Sequence, residues 1–282
     1  MELRITLYED ARSFIKKAGK MLYARETINN LMLGVSERLF NDPSAYEDPF
    51  FATLTDENDE IVLAAVMTPP HNMILAGNHN FNVGISVLIS YLQENQINIP
   101  GVIGPVHISE SFMKTWKRMI KESGKIKMRQ RVYEVRSVQM PPLPEGRFRV
   151  AFPENNQTIT EWLRAFTEES LGNEDPPPIE KVQDFISDGK VFVWEKEGEP
   201  VAMAMKTRPI AHSVTINGVY TPPEHRRQGF ATALVAKLSQ HLLNSGYEFV
   251  NLFTDLDNHT SNGIYQKIGY HPVTDFRIYS IK

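Results

Sequence analysis

The run Arg226-Arg227-Gln228-Gly229-Phe230-Ala231 follows a β-rich stretch closed by Pro222-Pro223, and Ala231, Leu234, Val235, Leu238 and Leu242 then recur at helical spacing. The pattern reads as a strand, a turn and the N-terminus of a helix. The first helical turn leaves backbone N–H groups without intrahelical partners at the positive end of the dipole, so a diphosphate can bind there on main-chain donors. Gly229 lets such a ligand come close to the backbone. Downstream, Asn258-His259-Thr260-Ser261-Asn262-Gly263-Ile264-Tyr265 supplies two polar residues and a phenol. With an ordinary pKa near 10, a tyrosine is protonated at neutral pH and suits a proton donor.

Together the two segments resemble the acyl-coenzyme A signature of the GNAT superfamily of N-acetyltransferases. Its Arg/Gln-x-x-Gly-x-Gly/Ala block corresponds to Arg226 through Ala231, and its second block to Asn258-x-x-Ser261-x-x-x-Tyr265-x-x-x-Gly269-Tyr270. The wording from Val219 to Ala231 is most similar to the glycine N-acyltransferase-like branch, and the resemblance covers the C-terminal half only. It implies acetyl-coenzyme A as acyl donor, with Val219, Tyr220 and Thr221 offering main-chain groups to the pantetheine. Arg226, Arg227, Gln228, Gly229, Phe230, Ala231 and Thr232 would wrap the pyrophosphate, and Asn258 and Ser261 would add contacts. It also implies that Tyr265 protonates the departing thiolate after direct attack by a primary amine. The plain alternatives are a packed core aromatic for Tyr265 and ordinary helix N-caps for Asn258 and Ser261.

A base for the amine is harder to find. Many GNAT enzymes carry a glutamate on the strand before the cradle, but His212-Ser213-Val214-Thr215-Ile216-Asn217-Gly218-Val219-Tyr220 contains no carboxylate. His212 has a suitable intrinsic pKa and is the candidate base, beside a water chain held by Ser213, Thr215 and Asn217. Glu224 lies in the proline turn, where fixing the loop is the simpler role. The missing carboxylate keeps a second reading open, a non-catalytic acyl-coenzyme A-binding regulatory module.

Other chemistries fail on residue types. A triphosphate loop needs a lysine and then Ser or Thr after its glycine, and Phe230 and Ala231 stand there. A dinucleotide fingerprint needs three spaced glycines. The eight histidines form no HExxH pattern, so no metal is expected, and the lack of cysteine excludes a disulfide framework and an acyl-cysteine intermediate. A net charge of -4 gives no general reason to expect nucleic acid. Lys114, Lys117, Arg118 and Lys121 make one basic helix face, read as a solvated surface. Met1-Glu2-Leu3-Arg4 lacks the features of a signal peptide and the longest apolar run, Ile61 to Met67, is too short to cross a bilayer. The expectation is a cytoplasmic protein without a membrane partner, acting on acetyl-coenzyme A and an amine-bearing small molecule or peptide.

The chain, at 282 residues, is long enough for two domains. Met140-Pro141-Pro142-Leu143-Pro144-Glu145-Gly146 breaks both helix and strand. The expected division is therefore an α/β domain over 1–140, a Pro-rich linker over 141–146 and a GNAT acetyltransferase domain over 147–282. The fold class expected is α/β, with a mixed, mostly antiparallel sheet flanked by helices. In the second half, strands at Phe148 to Phe152, Val191 to Trp194, Val201 to Met205 and Phe249 to Phe253 alternate with helices through Trp162 to Leu171 and Val182 to Ile186. The first half repeats this order: helices over Asp10 to Leu39, a hairpin across Asp56 to Glu60, helices from Asn82 to Leu92 and Ser109 to Ile120, then a strand from Arg129 to Val138. It reads as a degenerate second copy, because Leu75-Ala76-Gly77-Asn78-His79-Asn80-Phe81 has no basic residue three before its glycine.

Overall fold

The computed structural model describes residues 3–170 and 175–281. They form two compact units, Met1–Val132 with Val273–Lys282, and Tyr133–Pro272. The prolines of 141–146 lie in irregular chain inside the second unit, and the units part instead at Val132/Tyr133 and at Pro272/Val273.

The first unit runs β1 (Arg4–Leu7), α1 (Ala11–Tyr23), α2 (Glu26–Asn41), β2 (Phe50–Thr55), β3 (Ile61–Met67), β4 (Met73–Gly77), α3 (Phe81–Glu94), β5 (Gly101–Pro105), α4 (Val106–Ile120) and β6 (Lys125–Val135), whose last three residues belong to the second unit. Every residue of β3 is buried, as an unbroken apolar run requires when both sheet faces are covered. Both α1 and α3 pack on it. The Asp56 carboxylate closes the β2–β3 turn by accepting the N–H groups of Asn58 and Glu60, each at 3.0 Å. The basic residues Lys114, Lys117, Arg118 and Lys121 are all exposed while Phe112, Met113 and Trp116 face the core, so the charged stripe is the wet side of an amphipathic helix.

The second unit runs β7 (Arg147–Val150), α5 (Asn156–Ser170), α6 (Ile179–Ser187), β8 (Val191–Lys196), β9 (Glu199–Thr207), β10 (Ser213–Tyr220), α7 (Phe230–Asn244), β11 (Phe249–Asp255) and α8 (His259–Ile268), and is followed by β12 (His271–Ser280), of which all but the first two residues belong to the first unit. The order of elements is the same in both halves: strand, two helices, three strands, helix, strand, helix, strand. Yet the last strand is exchanged. Within the first unit β12 pairs antiparallel with β5, from Phe276↔Pro105 to Ser280↔Gly101. The sheet order there is β1-β2-β3-β4-β5-β12, and in the second unit β7-β8-β9-β10-β11. The paired strands described are antiparallel except β4–β5 and β10–β11, the two pairs that a crossover helix joins.

Burial explains why α7 forms where it does. Ala233, Leu234, Val235, Leu238 and Leu242 recur on one face and pack against Val214, Ile216, Val250 and Leu252 of β10 and β11. Each large aliphatic removed from water contributes about 1.5–3 kcal/mol. At the β8–β9 hairpin the turn is shorter than the sequence suggests. Only Glu197 (φ 53°) and Gly198 (φ 89°) form it, a two-residue turn with positive φ at both positions, and Glu199 and Pro200 already belong to β9.

Candidate active site

The site begins where two parallel strands stop pairing. β10 and β11 are in register from Ser213↔Phe249 to Ile216↔Leu252. On its other edge β10 carries a bulge against β9 between Asn217 and Tyr220, with Gly218 at φ 58°. The last four residues of β10 therefore leave the parallel ladder, and their main-chain groups border a gap instead of a neighbouring strand. A cavity of about 530 Å³ opens there.

Val219, Tyr220, Thr221, Arg226, Arg227, Gly229, Phe230, Ala231, Thr232, Asn258, Ser261 and Tyr265 all line it. Thus every residue anticipated around the ligand borders one space except Gln228, whose amide turns to the Glu224 carbonyl at 3.4 Å. The Thr221 hydroxyl is buried and has no hydrogen-bond partner among the described residues. Such an orphan at the wall of a cavity fits a site completed by a ligand.

The turn into α7 is built as an anion cradle. After a 3-10 turn at Pro223–His225, Arg227 (φ 65°) and Gly229 (φ 83°) take left-handed backbone conformations. For Arg227 that conformation costs about 1–2 kcal/mol, a strain that concentrates at binding sites. No side chain caps α7, and its first intrahelical bond is Ala233 N–H to the Gly229 carbonyl at 3.0 Å. The N–H groups of Phe230, Ala231 and Thr232 thus stand at the positive helix end on the cavity wall. A Cβ built on Gly229 meets nothing within 4 Å, so the protein itself has room there. The glycine is needed for its φ and for close approach.

The charged residues differ from expectation in one respect. Arg226 donates from Nε to the Thr221 carbonyl at 2.8 Å and from Nη2 to both Glu169 oxygens at 2.9 and 2.8 Å, and the bond to Glu169 raises its pKa. Its guanidinium therefore clamps the turn to the end of β10 and to α5. Phe166, Glu169, Ser170, His225 and Ile264 also line the cavity, and of these only His225 and Ile264 lay within the motif segments read from sequence. Phe166, Glu169 and Ser170 reach it because α5 packs on β10, a tertiary contact with no local signal.

Tyr265 is 7% exposed, and burial raises its pKa to about 12, against a lowering contribution from a hydrogen bond with Ser261. Its ring packs at 6.4 Å from Tyr133 and 5.9 Å from Tyr270. The plain reading of this residue as a core aromatic holds, and its surface also reaches the cavity. Asn258 caps α8, its side-chain oxygen accepting the Ser261 N–H at 3.1 Å.

His212 does not line the cavity and needs correcting as candidate base. It precedes the first residue of β10, and eight residues at roughly 3.3 Å each put it about 25 Å along the strand from Tyr220. Of the three residues read as holding a water chain, Asn217 is exposed, whereas Ser213 and Thr215 are not. Both are buried at 0% and 1% exposure, and Asn251 bridges them, accepting from Thr215 at 2.7 Å and donating to Ser213 at 3.3 Å. They form a dry polar layer between β10 and β11. Of the helix read from sequence through Trp162 to Leu171, Leu171 lies outside the described residues.

Residues 156–270 match the family model of the acetyltransferase (GNAT) family. The fold is the GNAT fold. A Drosophila protein of solved structure aligns over 99% of this chain and 98% of its own at a TM-score of 0.69 and 12% identity. A GCN5-related N-acetyltransferase from Sphaerobacter thermophilus aligns over 98% and 94% at 0.64 and 15% identity. A tandem GNAT protein from the clavulanic acid biosynthesis pathway aligns over 100% and 98% at 0.59 and 11% identity. At these identities the likeness concerns the fold. None of the curated proteins matches the sequence. Among the described residues no group of three or more His, Cys, Asp or Glu able to hold a metal occurs, and no helix is long and apolar enough to cross a membrane.

Proposed function

We propose that the unit Tyr133–Pro272 moves an acetyl group from acetyl-coenzyme A to a primary amine by direct attack. The observation that carries this reading is the uncapped α7 N-terminus, turned by Arg227 and Gly229, on the same cavity as the Tyr265 phenol. The diphosphate is held by the N–H groups from Gln228 to Thr232, and the pantetheine runs along Asn217 to Thr221, where β10 has left its neighbour. The Thr221 hydroxyl, unpartnered in the protein, supplies one further bond. Binding both substrates turns a bimolecular aminolysis into an oriented attack, and a main-chain N–H of the same strand segment stabilises the oxyanion. The neutral nitrogen forms the new bond to the acyl carbon and sheds its extra proton to water, the carbon–sulfur bond breaks with its electron pair on sulfur, and the Tyr265 hydroxyl donates a hydrogen bond and then its proton to that sulfur, to be reprotonated from water.

The acceptor is an amine-bearing small molecule or peptide, and the wording Val219 to Ala231 favours an acceptor chemistry like that of the glycine N-acyltransferase-like enzymes. The first unit we read as a degenerate copy of the same fold, since it repeats the element order without the turn that makes the cradle. A thiol reagent that reports coenzyme A release, run against a panel of amines, tests the reading. Release that depends on the amine supports it. Tight acetyl-coenzyme A binding with no release from any amine would instead support a regulatory acyl-coenzyme A-binding module, which the absence of a carboxylate on β10 favours.

A further inference from the structure

The first unit has its own cavity of about 580 Å³, at the ends of β4 and β5, the strands that correspond to β10 and β11. The parallel register of β4 and β5 ends at Ile74↔Ile103, as that of β10 and β11 ends at Ile216↔Leu252. The equivalent of the diphosphate cradle is closed, however. Asn80 N–H goes to the Asn78 side chain at 2.7 Å, Phe81 N–H to the Asn78 carbonyl at 3.3 Å and Val83 N–H to the Asn80 carbonyl at 3.3 Å, so three of the donors that would hold a phosphate are taken internally. The cavity must take something else.

Its lining divides into a charged mouth and an apolar wall. Lys20 and Arg25 are exposed and form no ion pair among the described residues. Arg25 is also the N-cap residue of the 16-residue α2, whose positive end adds to its charge, while Glu26 in the first turn opposes it. Lys17 is bound to Asp59, which also accepts from Arg4 at 2.8 Å. Counting the lining side chains, Lys17, Lys20 and Arg25 against Asp59 and Glu60 leave one positive charge, which suits a monoanion better than a polyphosphate. Burial and the neighbouring Arg25 lower the pKa of His107, so it adds no second charge at neutral pH. Behind the mouth stand Met21, Ile28, Ile61 and Ile108, the last two at 7% and 1% exposure.

We propose that this cavity binds a small amphiphilic carboxylate, its head on the Arg25 guanidinium and Lys20 and its chain against Met21, Ile28, Ile61 and Ile108. A guanidinium fork matches a carboxylate in two parallel bonds, and the apolar wall discriminates against small hydrophilic acids. Calorimetric titration of the full chain with butyrate, octanoate and decanoate, with octan-1-ol as uncharged control, tests it. One octanoate per chain is expected. Arg25→Gln or Lys20→Gln should weaken it about tenfold or more, whereas Gly229→Val, in the other unit's cradle, should leave it unchanged. Both cations are exposed, so an unchanged Tm will show that the variants are folded. Equal affinity in both variants, equal binding of octanol, or no binding of any of the three acids overturns the proposal. So does a second acetyl-coenzyme A per chain that Arg25→Gln removes.

Discussion

Replacing Tyr265 by phenylalanine removes one hydroxyl and keeps the ring that packs against Tyr133 and Tyr270. Its effect on rate follows from the pKa of about 12 that burial imposes on the phenol. An ordinary thiol titrates near 8.5, so complete transfer of the phenolic proton to a free thiolate is uphill by about 3.5 units, or roughly 5 kcal/mol. Full transfer at the transition state is therefore not where the gain lies. The gain is a hydrogen bond from the phenol to charge growing on sulfur, and bonds to charged groups contribute about 1.5–3 kcal/mol. Losing it should lower kcat about 10- to 150-fold. Acetyl-coenzyme A binding should change less than about twofold, because the neutral thioester sulfur of the ground state accepts hydrogen bonds poorly. Coenzyme A release at saturating donor gives kcat, and calorimetry on the same preparation gives Kd. A wild-type kcat in Tyr265→Phe refutes the role. A raised KM with unchanged kcat refutes it differently, since the hydroxyl would then act in binding alone.

Three further outcomes check the rest of the site and its frame. Gly229→Val places a branched side chain at φ 83°, at a cost of about 1–2 kcal/mol, and points it into open cavity, so acetyl-coenzyme A affinity should fall at least about tenfold with a modest drop in Tm; unchanged affinity discredits the cradle. Thr221→Val replaces a buried, unpartnered hydroxyl by a methyl of the same shape, so the free protein should keep or gain stability while donor affinity falls about threefold or more, and a clear loss of Tm without ligand would show the hydroxyl already satisfied. Glu195, 7% exposed, accepts from Arg147 at 2.6 Å and from Arg149, and these bonds lower its pKa. A depressed carboxylate stabilises the fold above its ordinary pKa and loses that contribution as pH falls toward the folded value, so Tm should drop less between pH 7 and about pH 3 in Glu195→Gln than in wild type; equal drops would remove Glu195 from the acid response.

The elements that position the site were legible because their causes are local. Proline pairs end β10, a glycine with positive φ turns the chain, and aliphatics at helical spacing bury α7; each is written within a few residues. The exchange of β12 into the first unit was not legible. Whether His271–Ser280 pairs with β5 or with a nearer strand depends on main-chain bonds that all sequences share. Glu169 was invisible for a related reason. Nothing in α5 distinguishes it from the acidic residues beside it until the helix packs on β10 and aims it at Arg226.

The missing base has a physical consequence for the acceptor. Among the described residues Glu169 is the one carboxylate lining the donor cavity, and both of its oxygens already accept bonds from Arg226. Ser213 and Thr215 are buried and bonded to Asn251. An amine that enters charged must then lose its proton to water before attack. At pH 7 an α-amine with a pKa near 7.8 is about 14% neutral, and a lysine-like amine with a pKa near 10.4 about 0.04%. The difference, about 300-fold in reactive species, exceeds what a few extra contacts to a lysine chain would return in this cleft, at about 1.4 kcal/mol for each factor of ten. On the proposed function, a unit that keeps the cradle and the phenol but not the strand carboxylate would favour amines of low basicity, such as peptide N-termini and amino-acid derivatives, and its rate should climb with pH until the acceptor's own pKa is passed.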